Sequence, residues 1–234
     1  MILAAGFGSR LSGVSSQTTS KPLTPVAGRP LLYRTLDGLL DAGCERIVIV
    51  IGFGAEELRS QVETGYDREV ELEFVVNPHY QLANGVSLLC AREHVDGDFI
   101  LTMADHVFDP SILDMAMAYE LAPDSACLLV DSKIDQVFDL DDATKVWAEG
   151  DTLVEIGKQL TRYNRVDTGC FVCSAALFDE IAAVYDSKGD ASLSHGVQAL
   201  ARSGRMKLLD VGDARWQDVD TPEMLAEAEA WLSE

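Results

Sequence analysis

The run Arg46-Ile47-Val48-Ile49-Val50-Ile51-Gly52 constrains the fold more than any other feature. A continuous apolar strand with no polar alternation is buried on both faces, as the central strands of parallel sheets are. The segments around it fit that setting. Ile2 to Ala5 read as a short buried strand, and Leu31, Leu32, Thr35, Leu36, Leu39 and Leu40 recur at helical spacing until Gly43 closes the helix. A helix is expected through about 55–64, a strand through VELEFVV, a helix from near Asn84, a strand at DFILTM, a helix from Pro110 and a strand at CLLVD. Strands alternating with helices predict an α/β fold: a Rossmann-like, mostly parallel sheet flanked by helices.

After Asp131 the pattern changes. TKVWAE-GD-TLVEIG reads as a hairpin about Gly150-Asp151. A strand at 166–173, two helices, a strand near 206–211 and a helix from Pro222 follow. The expectation is one domain over 1–234, with a small β-rich insertion in its second half and halves meeting near residue 131.

Charge narrows the partners. Lys and Arg number 18 against 39 Asp and Glu, a net charge of −21. Such a chain does not bind nucleic acid non-specifically. If its substrates are phosphates, a metal and a few basic groups must reverse the field locally. No apolar run approaches bilayer-spanning length, and the first strand opens the chain with no signal-peptide pattern before it, so a soluble cytoplasmic protein is expected. Cys170 and Cys173 resemble a CxxC pair. Residues three apart on a strand face opposite sides, so buried free thiols are the better reading than a shared metal.

The loop after the first strand, Gly6-Phe7-Gly8-Ser9-Arg10-Leu11, brings backbone N–H groups into reach of phosphate oxygens. Its spacing is neither GxGxxG nor GxxxxGK[ST]. The second strand ends without the acid that a dinucleotide ribose needs, which argues against an oxidoreductase. By itself a GxG after a strand is as well explained by a plain turn.

The loop does not stand by itself, because Arg10 follows Gly8 and Lys21-Pro22-Leu23 ends the segment. The combination LAAGFGSRL with KPL resembles the signature of the nucleotidyltransferases that make sugar nucleotides and related activated alcohols. NPHYQLANGVSLLCAREHVDGDFILTMADHVF resembles the cytidylyltransferase branch, most of all the inositol-1-phosphate cytidylyltransferases. DDATKVWAEGDTLVEIGKQL, DTGCF and WQDVDTPEML continue the likeness over nearly the whole chain. Family members have Gly-Asn-Gly-x-Ser-Leu where this chain has Ala83-Asn84-Gly85-Val86-Ser87-Leu88.

The resemblance implies an enzyme that joins CMP from CTP to a phosphorylated small alcohol and releases pyrophosphate. Residues 1–131 would form the nucleotide half and 132–234 the acceptor half. Arg10 and Lys21 would act on the phosphates. Leu3, Ala4, Ala5, Gly6, Gly8, Ser9, Asn84, Gly85 and Ser87 would hold the nucleotide; Asn84 also reads as a plain helix N-cap. Lys145, Lys158, Asp167, Thr168 and Gly169 would line the acceptor pocket. Asp105 and Asp218 would hold Mg²⁺, a cation suited to two carboxylates plus phosphate oxygens and water. Asp220 reads as a cap for the last helix, and His106 as a packing residue.

Inositol-1-phosphate is the first choice of acceptor. Phosphocholine, a phosphonate such as 2-aminoethylphosphonate, or a sugar phosphate are the alternatives. A cationic acceptor would want aromatic or acidic walls, for which Tyr163, Trp147, Asp131 and Asp135 are the candidates. An apolar patch on the insertion would allow two chains to pair. A non-catalytic nucleotide-binding regulator is the remote alternative; such a protein would be expected to have lost Lys21, Asp105 or Asp218, and all three are present.

Overall fold

The computed structural model describes residues 1–8 and 20–233. In chain order its strands and helices are β1 (Ile2–Ala4), β2 (Pro25–Val26), β3 (Arg29–Pro30), α1 (Leu31–Asp41), β4 (Arg46–Ile51), α2 (Ala55–Gly65), β5 (Glu71–Val76), α3 (Asn84–Cys90), β6 (Phe99–Met103), β7 (His106–Phe108) and α4 (Pro110–Ala118). They continue with β8 (Ala126–Asp131), β9 (Lys145–Glu149), β10 (Thr152–Gly157), β11 (Arg165–Cys173), α5 (Ala176–Lys188), α6 (Leu193–Arg202), β12 (Met206–Asp210), β13 (Trp216–Asp218) and α7 (Pro222–Trp231).

Nine strands form one sheet in the order β5-β4-β1-β6-β11-β8-β12-β10-β9. β5, β4, β1 and β6 pair in parallel, as do β8 and β12. β11 lies antiparallel between β6 and β8, so the sheet is mixed where the sequence suggested a mostly parallel one. The β9–β10 hairpin is not a separate layer: β10 pairs with β12, and β9 also pairs with the start of β11.

Period-two alternation divides the buried side chains between the two faces of the sheet. Leu3, Val48, Val50, Leu101, Leu128 and Phe171 pack with α3, α5 and α6 in one cluster. Ile2, Ile47, Ile49, Ile51, Leu129 and Val172 pack with α1, α2 and α4 in the other. A strand covered on both sides has no polar face, which is why β4 reads as a continuous apolar run. Cys173 falls in the first cluster and Cys170 in the second, and both are free thiols, as their spacing on a strand requires.

Two short pieces complete the frame. β7 and β13 form an antiparallel ribbon beyond the carboxyl ends of the parallel strands, with His106 opposite Asp218. α7 follows β13 directly; Thr221 caps it by accepting from Met224 N–H, and Pro222 fills its first turn.

α3 is held against the turn before α6 through Gly85. A Cβ there would lie 2.5 Å from the carbonyl oxygen of Ala191. Gly85→Ala is therefore expected to cost about 1–3 kcal/mol by overpacking. Urea denaturation monitored by circular dichroism measures it, and an unchanged midpoint would remove Gly85 from the packing.

Candidate active site

Ligands in open α/β sheets bind beyond the carboxyl ends of the strands. Here β1 runs out into Ala5 and Gly6, β6 into Ala104 and Asp105, and β4 into Gly52. Gly52 allows a close junction, since a Cβ on it would lie 2.8 Å from the Ala5 carbonyl oxygen and 2.5 Å from Tyr80 Cβ. The β7–β13 ribbon brings a remote segment to the same edge. Val219 N–H donates to the Asp105 carbonyl at 2.8 Å, fixing the chain just past β13 to the end of β6.

At this junction Lys21 is buried between two carboxylates. Its Nζ donates to Asp105 Oδ2 at 2.5 Å and also to Asp220 Oδ1, and its side chain is only 9% exposed. Asp105 Oδ1 meets His106 Nδ1 at 2.7 Å. Burial by itself would raise the Asp105 carboxyl; the Lys21 ammonium and His106 outweigh it and hold the group well below the usual carboxylate range. Burial would likewise lower Lys21, and Asp105 and Asp220 instead raise it. Gly8 makes this fit possible. It has a φ of +57°, and a Cβ there would lie 2.3 Å from Lys21 Cβ.

A cavity of about 340 Å³ opens in front of this cluster. Leu3, Ala5, Gly6, Tyr80, Asn84 and Ser87 line one side of it, and Asp142, Lys158, Asp167, Gly169 and Trp216 another, with Asp105 and Asp218 between. A second cavity of about 270 Å³ adjoins it along Gly6, Gly8, Lys21 and Asp105. The structure thus gathers Leu3, Ala4, Ala5, Gly6, Gly8, Lys21, Asn84, Ser87, Asp105, Lys158, Asp167, Gly169 and Asp218 at one edge of the sheet. Ser9 and Arg10 lie outside the described residues.

Several sequence expectations change here. Lys145 does not line the cavity. It is buried, and its Nζ donates to the carbonyls of Asp141, Ala143 and Lys158 at 3.0–3.2 Å, so the lysine ties the base of the β9–β10 hairpin together. Thr168 is fully buried and donates its hydroxyl to the Leu129 carbonyl, because it sits on the inner side of β11. Gly85 faces Ala191 rather than the cavity. Asn84 is not an N-cap: Ala83 precedes α3, and Asn84 Oδ1 accepts from Leu193 N–H at 2.8 Å, joining α3 to α6. Asp220 leaves the capping of α7 to Thr221 and pairs with Lys21 instead.

His106 is more than packing. Its ring stacks on Trp216 and Phe108, and a Cβ on Gly169 would lie 2.7 Å from its Nε2. Gly169, at φ +77°, sits in the irregular stretch of β11 between Asp167 and Phe171 and lets the histidine reach the cavity wall. The signal for His106 was its place next to Asp105. For Asp220 it was a second acid two residues past Asp218. For Tyr80 the sequence carried no signal.

The acidic groups fit a cation. Burial raises the Asp218 carboxyl, His106 opposes this, and the neighbouring Asp220 and Asp105 add to the rise. Among the described residues, no group of three or more His, Cys, Asp or Glu side chains forms a ready-made metal cage. Two carboxylates that leave most of a coordination shell open suit a hard divalent cation.

Asp167, on the wall of the cavity, titrates above the usual carboxylate range. Burial pushes it up to about 6, although Gly169 N–H donates to its Oδ1 at 2.8 Å. A raised folded-state value means that stability present below the ordinary 3.8 is lost as pH rises through about 6. Asp167→Asn is expected to melt with the parent protein below pH 3.8 and above it once pH passes 6, which thermal melts across that window would measure. Lys145→Ala strands three carbonyls and is expected to lose about 1–3 kcal/mol of stability in urea unfolding. A variant of unchanged stability would return Lys145 to the ligand side.

The family model of the MobA-like NTP transferase domain matches residues 1–204. Over 233 residues, 99% of this chain, the sequence is 31% identical to the bifunctional IPC transferase and DIPP synthase of Aquifex aeolicus; the match takes in 51% of that protein. The chain thus spans about half the length of that relative. It is 40% identical over 129 residues, 55% of this chain and 20% of the other, to the CMP-5'-(3-aminopropyl)phosphonate synthase of Streptomyces rubellomurinus. The solved inositol-1-phosphate CTP transferase from T. maritima superposes with a TM-score of 0.84 at 28% identity, covering 97% of this chain and 94% of that one. The chain belongs to the MobA-like NTP transferase domain family.

Proposed function

We propose that the chain transfers CMP from CTP to the phosphate of a small polyol, inositol-1-phosphate in the first place, and releases pyrophosphate. One observation carries this reading. Lys21, Asp105 and Asp218, from three remote segments, meet at the ends of β1 and β6, in a chain similar over nearly its whole length to a solved inositol-1-phosphate CTP transferase.

The acceptor phosphate has a second pKa of about 6 and is already largely an anion at neutral pH. It attacks the α-phosphorus of CTP in line and displaces pyrophosphate, so no general base is needed. The protein's part is positioning and charge stabilisation. Backbone N–H groups around Gly6 and Gly8 would hold the triphosphate, and the roles expected of Ser9 and Arg10 fall on residues outside those described. Leu3, Ala4, Ala5, Asn84 and Ser87 form the side against which the nucleoside rests. Lys21 steadies phosphate charge as it develops. Lys158, Asp167 and Gly169 meet the acceptor, the lysine at its phosphate and the carboxylate at its hydroxyls. Asp105 and Asp218 would hold Mg²⁺, which supplies neutralisation of the phosphate charge when bound.

Three groups that could have walled a cationic acceptor, Trp147, Tyr163 and Asp131, lie outside the cavity. Trp147 is covered by the Arg162 guanidinium at 3.7 Å, and Tyr163 has Lys145 Nζ 6.0 Å from its ring centre. Asp131 is engaged by Lys133 and by the Trp216 indole N–H, each at 2.9 Å. These groups are occupied by the protein's own donors and cations and do not line the cavity. The likeness to a phosphonate synthase keeps a phosphonate acceptor as the second reading.

The test is pyrophosphate release with CTP and Mg²⁺ against inositol-1-phosphate, phosphocholine, 2-aminoethylphosphonate and sugar phosphates, with ATP, GTP and UTP in parallel. Release is expected with CTP and inositol-1-phosphate. Release only with a phosphonate would move the acceptor, and no release with any nucleotide from a CTP-binding protein would favour a regulator. Lys21→Ala is expected to lower the rate ~10²–10³-fold. Near-normal turnover in a folded variant would take Lys21 out of the chemistry.

A further inference from the structure

We infer that Asn77 is a positioning residue: it fixes the Ser87 hydroxyl as a hydrogen-bond donor toward the cavity, where it meets an acceptor atom of the bound nucleobase. The inference rests on the reading of Ser87 as part of the side against which the nucleoside rests. Asn77 lies just past β5 and is fully buried. Its Oδ1 accepts from His79 N–H at 2.8 Å, and its Nδ2 donates to Ser87 Oγ at 2.9 Å. A backbone N–H can only donate, so the amide oxygen faces His79 and the amide nitrogen faces Ser87. The Asn77 backbone N–H donates to the Ile51 carbonyl at 2.8 Å, which ties the residue to the end of β4.

A serine hydroxyl has one proton and two lone pairs. Asn77 takes a lone pair of Ser87, so the proton points elsewhere. Among the described residues, none accepts that proton. Ser87 is itself buried, and it lines the 340 Å³ cavity. A buried donor left without an acceptor is destabilising. A ligand atom in the cavity satisfies Ser87 only if it is an acceptor, and a second donor there is repelled. Cytosine offers its ring nitrogen and its carbonyl oxygen as neighbouring acceptors. The amide of Asn77, which need not touch the ligand, thus sets which hydrogen-bonding sign the wall presents.

The experiment is CTP binding to the full chain by isothermal titration calorimetry, with the melting of each variant followed alongside. Ser87→Ala loses one neutral hydrogen bond and is expected to bind CTP about 2–10-fold more weakly. Asn77→Asp keeps an acceptor for His79 N–H but turns the donor toward Ser87 into a second acceptor. The hydroxyl proton then goes to the carboxylate and a lone pair faces the base, so CTP binding is expected to fall about 10–100-fold. Ser87→Ala added to Asn77→Asp removes the reversed hydroxyl and is expected to restore binding by about 3-fold or more. A role in folding or a bare charge effect would not be relieved by deleting the Ser87 hydroxyl. CTP binding by Asn77→Asp equal to that of the parent, or no recovery in the double variant, would overturn the inference. Should Asn77→Asp not fold, Asn77→Ala is expected to weaken CTP binding in the parent but not in Ser87→Ala, and an equal loss in both would overturn it. If Ser87→Ala binds CTP like the parent, or the parent binds none, the nucleoside reading of Ser87 fails and the inference falls with it.

Discussion

A single ammonium group, that of Lys21, holds the active edge of this protein together. Its carboxylate partners are 84 and 199 positions away in sequence, at the end of β6 and just past β13. Burying three charged groups is costly, and such clusters are weak evidence of stability. Their value here is geometric. The ion cluster, the Val219 to Asp105 hydrogen bond and the β7–β13 pairing act on the same few residues. Together they bring the glycine loop, the end of the central strand and the start of the last helix to one place.

The sheet explains why that place is a cleft. β5, β4, β1 and β6 all end on the same side, and β11 then runs back against β6. The reversal puts Asp167 and Gly169 of β11 beside the end of β6 rather than at the far side of the sheet. The β9–β10 hairpin leads into residue 158, so Lys158 reaches the same wall. One side of the cleft is thereby built from the first half of the chain and the facing side mostly from the second. In the proposed reaction one side would hold the nucleotide and the other would receive the acceptor.

Electrostatics sharpens the picture. A net charge of −21 repels triphosphate at long range, and the cleft itself carries Asp105, Asp142, Asp167, Asp218 and Asp220. The few cations are correspondingly committed: Lys21 to Asp105 and Asp220, Lys158 to Asp142, Lys145 to backbone carbonyls. In the proposed reaction a phosphate substrate would enter with a divalent cation rather than against bare carboxylates, and Lys21 and Lys158 would gain phosphate partners only by loosening their pairs.

Local signals were legible in the sequence wherever neighbouring residues decide the outcome. The apolar run of β4 announced a doubly covered strand, Gly150-Asp151 a hairpin and Pro222 a helix start. The spacing of Cys170 and Cys173 sufficed to put them on opposite faces. Motif likeness brought Lys21, Asp105 and Asp218 forward, and the fold gathers them at one edge of the sheet. It failed for Lys145, Thr168 and Gly85, which stand in matching stretches but face carbonyls, the core and a neighbouring helix turn. Direction within a strand or hairpin shifts with one bulge, and no short pattern records it. Only the tertiary structure decided that Asp220 pairs with Lys21, that His106 meets the wall at Gly169 and that Asn84 holds α6. These contacts join residues far apart in the chain, so their geometry depends on strand order and register, which local propensity does not encode.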